Sequence, residues 1–323
     1  MTDYVLVADV GGTNARLALS NLDNNSIGSI RNYLCDDFNS LAEIVDLYLS
    51  ELDVKILDAC IAIACPIHGD TVTMTNQSWT FSIEEMKRRL SLRTLKVIND
   101  FTAISYAIPT LKENQLIQIG GTKPQPGFPK AVYGAGTGLG VAHLVPTKDQ
   151  WLSISGEGGH QAFAPASEEE DNILKYLRKT YGHVSVERIL SGPGLVNIHN
   201  AVRYSRGLEI VDLTPQEITT RASNNECEIC ADVLDIFCSV FGRFGGDLAL
   251  NIGAFGGVYI AGGVIPKFLE YFLNSNFREE FLDKGRFKDY LKDIPVYLIN
   301  AEQVGLLGAA FHIKQSINNL RSV

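Results

Sequence analysis

Apolar residues come in short runs along the first third of the chain, and their spacing alternates between strand and helix periods. Val5-Leu-Val-Ala-Asp9-Val is an apolar strand, Gly11-Gly12 is a turn signal, and Ala15 to Leu19 resumes an extended pattern, so a hairpin is predicted. Ser40-x-x-Glu43 is a capping box that opens an amphipathic helix through Leu52, and the continuous apolar run Ala59 to Ala64 reads as a buried strand. Ser82-x-x-Glu85 opens a second helix, after which Leu95 to Ile98 forms a strand that delivers Asn99 and Asp100 at its end. Strands alternating with helices predict an α/β domain.

Past Pro109 the texture changes. Gly120-Gly-Thr-Lys-Pro-Gln-Pro-Gly127 is a loop by composition, and Ala131 to Gly134 and Leu139 to Val145 flank another glycine turn. A second domain is expected to begin about there, which matches a length of 323 residues at roughly 150 per domain. Ser167-x-x-Glu170 caps a helix reaching Tyr181, Thr214-Pro215 starts another, and Glu226 to Asn251 reads as one or two buried helices. Gly257 to Gly263 is a strand ending in a glycine pair, Pro295 to Ile299 is a further strand, and Gly305 to Ile317 is a closing helix. Val5 to Ala18 and Ala131 to Ala142 share one plan of apolar strand, Thr-bearing glycine turn and second strand, which suggests two related domains.

Composition sharpens this picture at the glycines. The chain holds 29, about 9% against an average near 7%. They cluster at 120–140 and 242–263, and close helix packing is expected at Gly242 to Gly257. The balance of 28 basic and 37 acidic residues gives a net charge of −9, with no Lys/Arg-rich block, which disfavours nucleic acid and anionic membrane as partners. No apolar run approaches the roughly 20 residues that span a bilayer, and the start lacks a basic segment before an apolar one, so a cytoplasmic location is expected. The six cysteines are scattered and expected to be free thiols, with Cys227-x-x-Cys230 lying on a helix face instead of forming a metal knuckle.

Six places carry candidate chemistry. Gly11-Gly12-Thr13 and Gly136-Thr137-Gly138 offer converging backbone N–H groups with no Cβ in the way, a geometry suited to phosphate, yet neither is a P-loop or a dinucleotide fingerprint. Asp9, closing an apolar strand, needs a cation or donors. Asn99-Asp100 lies where open α/β sheets place ligands, and a carboxylate there could take a proton from a hydroxyl; capping of a helix by either residue is the competing explanation. Glu157 and His160 share the flexible loop Gly156-Glu-Gly-Gly-His160, which suits ligand binding, whereas Glu187 after Ser185 fits stabilisation of a helix start better.

Taken in order, Ala8-Asp-Val-Gly-Gly-Thr13, Asn99-Asp100-Phe101, Gly134-Ala-Gly-Thr-Gly-Leu-Gly140, Gly156-Glu-Gly-Gly-His160, Glu187 and Ala261-Gly-Gly263 resemble the zinc-free bacterial glucokinases of the hexokinase, Hsp70 and actin superfamily. The resemblance spans essentially the whole chain. It implies an α/β, two-domain actin-like ATPase fold built from ribonuclease H-like repeats, with a cleft between a small domain (1–110 plus 300–323) and a large one (111–299). It further implies that Asn99, Asp100, Glu157, His160 and Glu187 hold the sugar hydroxyls. Phosphates would fall to Ala8, Asp9, Val10, Gly11, Gly12 and Thr13 and to Gly134, Ala135, Gly136 and Thr137, with Gly262 and Gly263 near the adenosine.

The activity implied is transfer of the γ-phosphoryl group of ATP to the C6 hydroxyl of glucose, giving glucose 6-phosphate and ADP, the first step of glycolysis for free glucose. Asp100 would be the base, Asp9 would reach Mg²⁺ through water, no zinc is expected, and the assembly would be a homodimer. Kinases of other hexoses, a non-catalytic sugar sensor and an actin-like polymerising ATPase stand as alternatives at this point.

Overall fold

The computed structural model describes residues 4–74 and 77–321. The chain divides into two compact units, the first formed by residues 1–115, 147–155 and 300–323 and the second by 116–146 and 156–299.

The first unit opens with the strands β1 (Tyr4–Val10), β2 (Asn14–Asn21) and β3 (Ile27–Leu34), followed by α1 (Leu41–Leu52) and β4 (Asp58–Ile63). A short hairpin of β5 (Thr71–Thr73) and β6 (Thr80–Ser82) leads to α2 (Ile83–Arg89), β7 (Thr94–Asn99) and α3 (Asp100–Ala107). The five main strands lie in the order β3-β2-β1-β4-β7. β1 pairs antiparallel with β2 and parallel with β4, which pairs parallel with β7.

Alternation along β1 decides what each face meets. Leu6, Ala8 and Val10 join Leu41, Ile44 and Val45 of α1 in one core, while Val5 and Val7 point the other way into a second core. Asp9 continues the Val5-Val7 face by the two-residue period. Ser40 caps α1 as its sequence signal requires, accepting from Glu43 N at 3.3 Å. The reciprocal arm of the box is absent, because Glu43 Oε2 accepts instead from Asn39 N at 3.0 Å.

The second unit contains β8 (Leu116–Gly120), β9 (Lys130–Ala135) and β10 (Leu139–Pro146). The chain then passes through β11 (Trp151–Gly156), whose residues up to Ser155 belong to the first unit. There follow α4 (Glu168–Tyr181), α5 (Gly192–Ser205), α6 (Pro215–Ser223), α7 (Glu228–Ile252), β12 (Val258–Ala261), the short α8 (Leu269–Leu273), α9 (Phe277–Leu282) and α10 (Lys288–Leu291), and β13 (Val296–Ile299). Its strands run in the order β10-β9-β12-β13-β8, with β9 antiparallel to β10 and parallel to β12. A hairpin followed by two parallel strands is therefore built twice, β2-β1-β4-β7 and β10-β9-β12-β13, as the two Thr-bearing turns suggested.

α7 is a single helix, and its glycines show why that region is glycine-rich. A Cβ on Gly242 would lie 2.3 Å from Phe277 O, and one on Gly246 would lie 2.4 Å from Phe281 O, so α9 presses directly on the α7 backbone. Gly245 makes the same allowance for Tyr133, whose hydroxyl would sit 2.4 Å from a Cβ there. Cys227 is the N-cap of α7, its Sγ accepting from Cys230 N at 3.3 Å, and all six cysteines are free.

The chain returns to the first unit in α11 (Val304–Arg321). Leu306, Ala309 and Ile313 of this helix cover Val5 and Val7. Ser153 of β11 is held there too, by Ser105 Oγ at 2.7 Å and by the Tyr106 hydroxyl, which accepts from Ser153 N at 3.2 Å. Among the described residues no helix is long and apolar enough to cross a membrane.

Candidate active site

In the first unit the candidate residues Asp9, Asn99 and Asp100 lie at the carboxyl ends of parallel strands. Asp9 of β1 is in register with Ala62 of β4, and Ala62 with Ile98 of β7, so the ends of β1 and β7 flank the same point of β4. Asn99 and Asp100 follow Ile98 directly. Gly11 N donates to Asn14 O at 2.9 Å and closes the β1–β2 turn, which takes in Gly11, Gly12 and Thr13. Thr13 is exposed there.

Asn99 caps α3: its Oδ1 accepts from Phe101 N at 2.9 Å and from Thr102 N at 3.2 Å. Its Nδ2 donates to the Cys65 carbonyl at 3.4 Å, which anchors the loop after β4. Capping thus belongs to Asn99, and Asp100 becomes the first helical residue, with Oδ1 accepting from its neighbour Phe101 N at 2.9 Å.

The electrostatics single out this pair of carboxylates. Burial pushes Asp100 up to about 6, helped by the charge of Asp9 and opposed by the hydrogen bond from Phe101 N. Burial also raises Asp9, against the pull of the Arg16 guanidinium. A half-buried carboxylate with its pKa near neutrality at the mouth of a parallel sheet is the profile of a general base. Two desolvated carboxylates side by side also suit a hard cation that keeps several of its waters, as Mg²⁺ does. Among the described residues no group of three or more His, Cys, Asp or Glu side chains converges to hold a metal ion.

In the second unit the predicted phosphate turn and adenosine glycines are neighbours. Gly134 is in register with Ala261, and Val264 N donates to Ala135 O at 3.1 Å. A Cβ on Gly134 would lie 2.2 Å from Ala261 O, so glycine is required there by the fold itself. Gly262 is held with φ +88° in the left-handed region, 2.4 Å from Ala135 O by the same measure. Gly136 and Gly263 differ: no protein atom lies within 4 Å of a Cβ at either place, and the exposed Thr137 stands beside Gly136. The bare backbone at these two positions faces open space.

The Glu157–His160 loop is a 3₁₀ turn, closed by His160 N donating to Glu157 O at 3.0 Å. It lies against β10, where Gly159 leaves room for the Leu139 carbonyl, 2.2 Å from where a Cβ would be. The His160 carbonyl is 3.1 Å from His183 Nε2, and both acidic and imidazole side chains of the loop are exposed. Glu187 departs from the expectation of a helix-start role. Ser185 makes no side-chain cap, the 3₁₀ turn Val186–Arg188 spans three residues, and the Glu187 carboxylate instead accepts from Leu139 N at 2.9 Å through Oε2.

Sequence reasoning missed several parts of these sites. Gly305 at the start of α11 lies against Asp9, whose Cγ is 2.7 Å from where a Cβ would be. The small-residue spacing Gly305-x-x-Gly308 signalled a close helix approach without saying to what. Helix α5, capped by Ser191 through Gly194 N at 3.0 Å, was also missed, because Gly-Pro-Gly reads as loop.

Duplicated hairpin-plus-parallel units with glycine turns at their strand ends are the architecture of the actin-like ATPase fold. Comparison with known proteins narrows the class. The glucokinase family profile matches residues 6–316, so this chain belongs to the glucokinase family. It is 56% identical over 317 residues to the glucokinases of Yersinia enterocolitica and Yersinia pestis, with 98% of both chains covered in each case. The crystal structure of a glucokinase from an Antarctic psychrotroph superposes with a TM-score of 0.90 at 38% identity, over 98% of this chain and 100% of that one. A Balamuthia mandrillaris glucokinase in complex with glucose shares the fold at 23% identity and a TM-score of 0.81, over 97% and 94% of the two chains.

Proposed function

We propose that this enzyme transfers the γ-phosphoryl group of ATP to the C6 hydroxyl of glucose, releasing glucose 6-phosphate and ADP. The observation that carries the reading is the half-buried Asp100 carboxylate, pushed up to about 6 at the end of β7. The C6 oxygen forms its bond to the γ-phosphorus as the bond to the β–γ bridging oxygen breaks, and the hydroxyl proton passes to Asp100. Ionised at neutral pH but close to its pKa, Asp100 is matched to that task. Asn99, Glu157, His160 and Glu187 are assigned to the sugar hydroxyls, supported by the open carboxylate and imidazole of the Glu157–His160 loop. Backbone N–H groups of Gly11–Thr13 and Gly134–Thr137 are assigned to the phosphates, and Gly262–Gly263 to the adenosine side, supported by the uncrowded backbone at Gly136 and Gly263.

Mg²⁺ when bound neutralises phosphate charge. The residue placed to hold it, through water, is Asp9, supported by the burial that makes its uncompensated charge costly. In this reading residues 1–110 with 300–323 act as a small domain and 111–299 as a large one. The two compact units support that division except at 111–115 and 147–155. The enzyme acts in the cytoplasm as a homodimer, and sedimentation equilibrium returning one chain mass at micromolar concentration would exclude the dimer.

Release of ADP, measured with a panel of hexoses and with none, tests the activity: glucose should stimulate it most. Asp100→Ala should lower kcat by about 10² to 10⁴-fold while glucose binding persists. Near-normal turnover in that variant would remove Asp100 from the mechanism.

A further inference from the structure

Glu187 makes a contact that a sugar ligand does not need. Its Oε2 accepts from the main-chain N–H of Leu139, at the exit of the Gly136–Gly138 turn. Its Oε1 has no hydrogen-bond partner among the described residues. Gly138 stands so close that a Cβ there would lie 2.5 Å from Oε2. The same segment grips the turn a second time, Gly192 N donating to Gly136 O at 2.8 Å. It is braced internally, since Ser191 Oγ donates to Glu187 O at 2.8 Å and accepts from Gly194 N. The turn between β9 and β10 is therefore clamped at both ends by residues 187–192.

We propose that Glu187 is a positioning residue for the nucleotide as well as a sugar contact: its Oε2 holds the Gly136–Gly138 turn in the shape that receives phosphate, leaving Oε1 for a hexose hydroxyl. The inference rests on the reading that this turn binds phosphate and that Glu187 touches the sugar. Its physical basis is that a turn presents converging N–H groups only while its exit is fixed, and here the exit N–H is bound to a charged acceptor. Gly138 has no left-handed φ, so its lack of a side chain is explained by the carboxylate beside it and not by its backbone.

The distinguishing measurement is binding of the β,γ-imido analogue of ATP with Mg²⁺ in the absence of sugar, by calorimetry, alongside a separate titration with glucose alone. Glu187→Ala should weaken sugar-free nucleotide binding by about tenfold, the order expected for losing a hydrogen bond to a charged group. Glu187→Gln keeps an acceptor for Leu139 N and should restore nucleotide binding to within about twofold while still weakening glucose. Gly138→Ala should drive the carboxylate off and weaken the nucleotide in the wild-type background. In the Glu187→Ala background it should cost nothing further, because the displaced group is gone.

Nucleotide binding unchanged in Glu187→Ala and in Gly138→Ala would overturn the positioning role while leaving the sugar assignment intact. Unchanged glucose binding with weakened nucleotide would instead remove the sugar contact and keep the clamp. Should Glu187→Ala fail to fold, the comparison of Glu187→Gln with Gly138→Ala decides the matter, since only the second disturbs the clamp.

Discussion

Asp100 sits in an environment that works against its own charge, and the consequence is a pH signature at the level of one residue. With its pKa raised to about 6, kcat/KM should fall as pH drops through that value, because the base is then protonated before substrate arrives. Stability has the opposite sign. Below the unfolded carboxylate value Asp100 is protonated in both states and costs nothing. Above about 6 it is charged in both, and the folded state bears the burial cost. Asp100→Asn keeps an acceptor for Phe101 N and should therefore stabilise the fold at pH 8, by about 3 kcal/mol from a shift of this size, and not at pH 3.5. Thermal unfolding of the two proteins at both pH values checks this; equal gains at both would mean that packing and not charge is responsible.

At the scale of elements, α11 shows how one helix can serve both core and site. Its apolar face covers Val5 and Val7, while its two glycines let it approach two different neighbours. Gly308 meets backbone: a Cβ would lie 1.7 Å from the Ala103 carbonyl oxygen of α3, which cannot move aside without moving the helix. Gly305 meets a side chain, the Asp9 carboxylate. Gly308→Ala should therefore destabilise by about 1–3 kcal/mol, as overpacking does, whatever stands at position 9. Gly305→Ala should also destabilise in the wild type and raise the Mg²⁺ concentration needed for half-maximal rate. In an Asp9→Ala background its stability cost should largely vanish. Melting curves of the two alanine variants with and without Asp9→Ala separate the cases, and a Gly305 cost independent of Asp9 would refute the contact's importance.

Over the whole molecule, two units of like topology each carry a glycine turn at the end of a strand hairpin. Asp9 and Asp100 of the first unit are desolvated, and in the proposed function the metal at Asp9 accompanies the nucleotide and is not part of the fold. Chelation with EDTA is accordingly expected to abolish turnover, with recovery on adding Mg²⁺, while the unfolding temperature stays within about 2 °C. That margin is small against the roughly 2–4 °C per kcal/mol typical of larger chains. Loss of folded structure on chelation would instead make the metal part of the fold.

Much of this was legible in the order of residues. Period and caps predicted β1, β2, α1, β4, α2, β7, α4, α6, α7, β12, β13 and α11, because each carries its own signal within a few residues: an alternation, a Ser or Thr cap, a bounding glycine. The repeated Thr-bearing turns announced the duplication, and the motif order announced the family. What the residues alone left open was contact. Asn99 and Asp100 were equal candidates for capping until the backbone gave the cap to Asn99 and left Asp100 desolvated beside Asp9. Glu187 fitted a helix start until its carboxylate was found on Leu139 N, 48 positions earlier. Close packing was expected at Gly242, Gly245 and Gly246, but only the tertiary structure identifies α9 and Tyr133 as what fills the space their side chains would occupy. Local propensity acts over a turn or two of chain, so the sequence could determine the elements and the residue types at their ends. Burial, close approach and the pKa of a carboxylate depend on atoms brought from far along the chain, and those only the tertiary structure could decide.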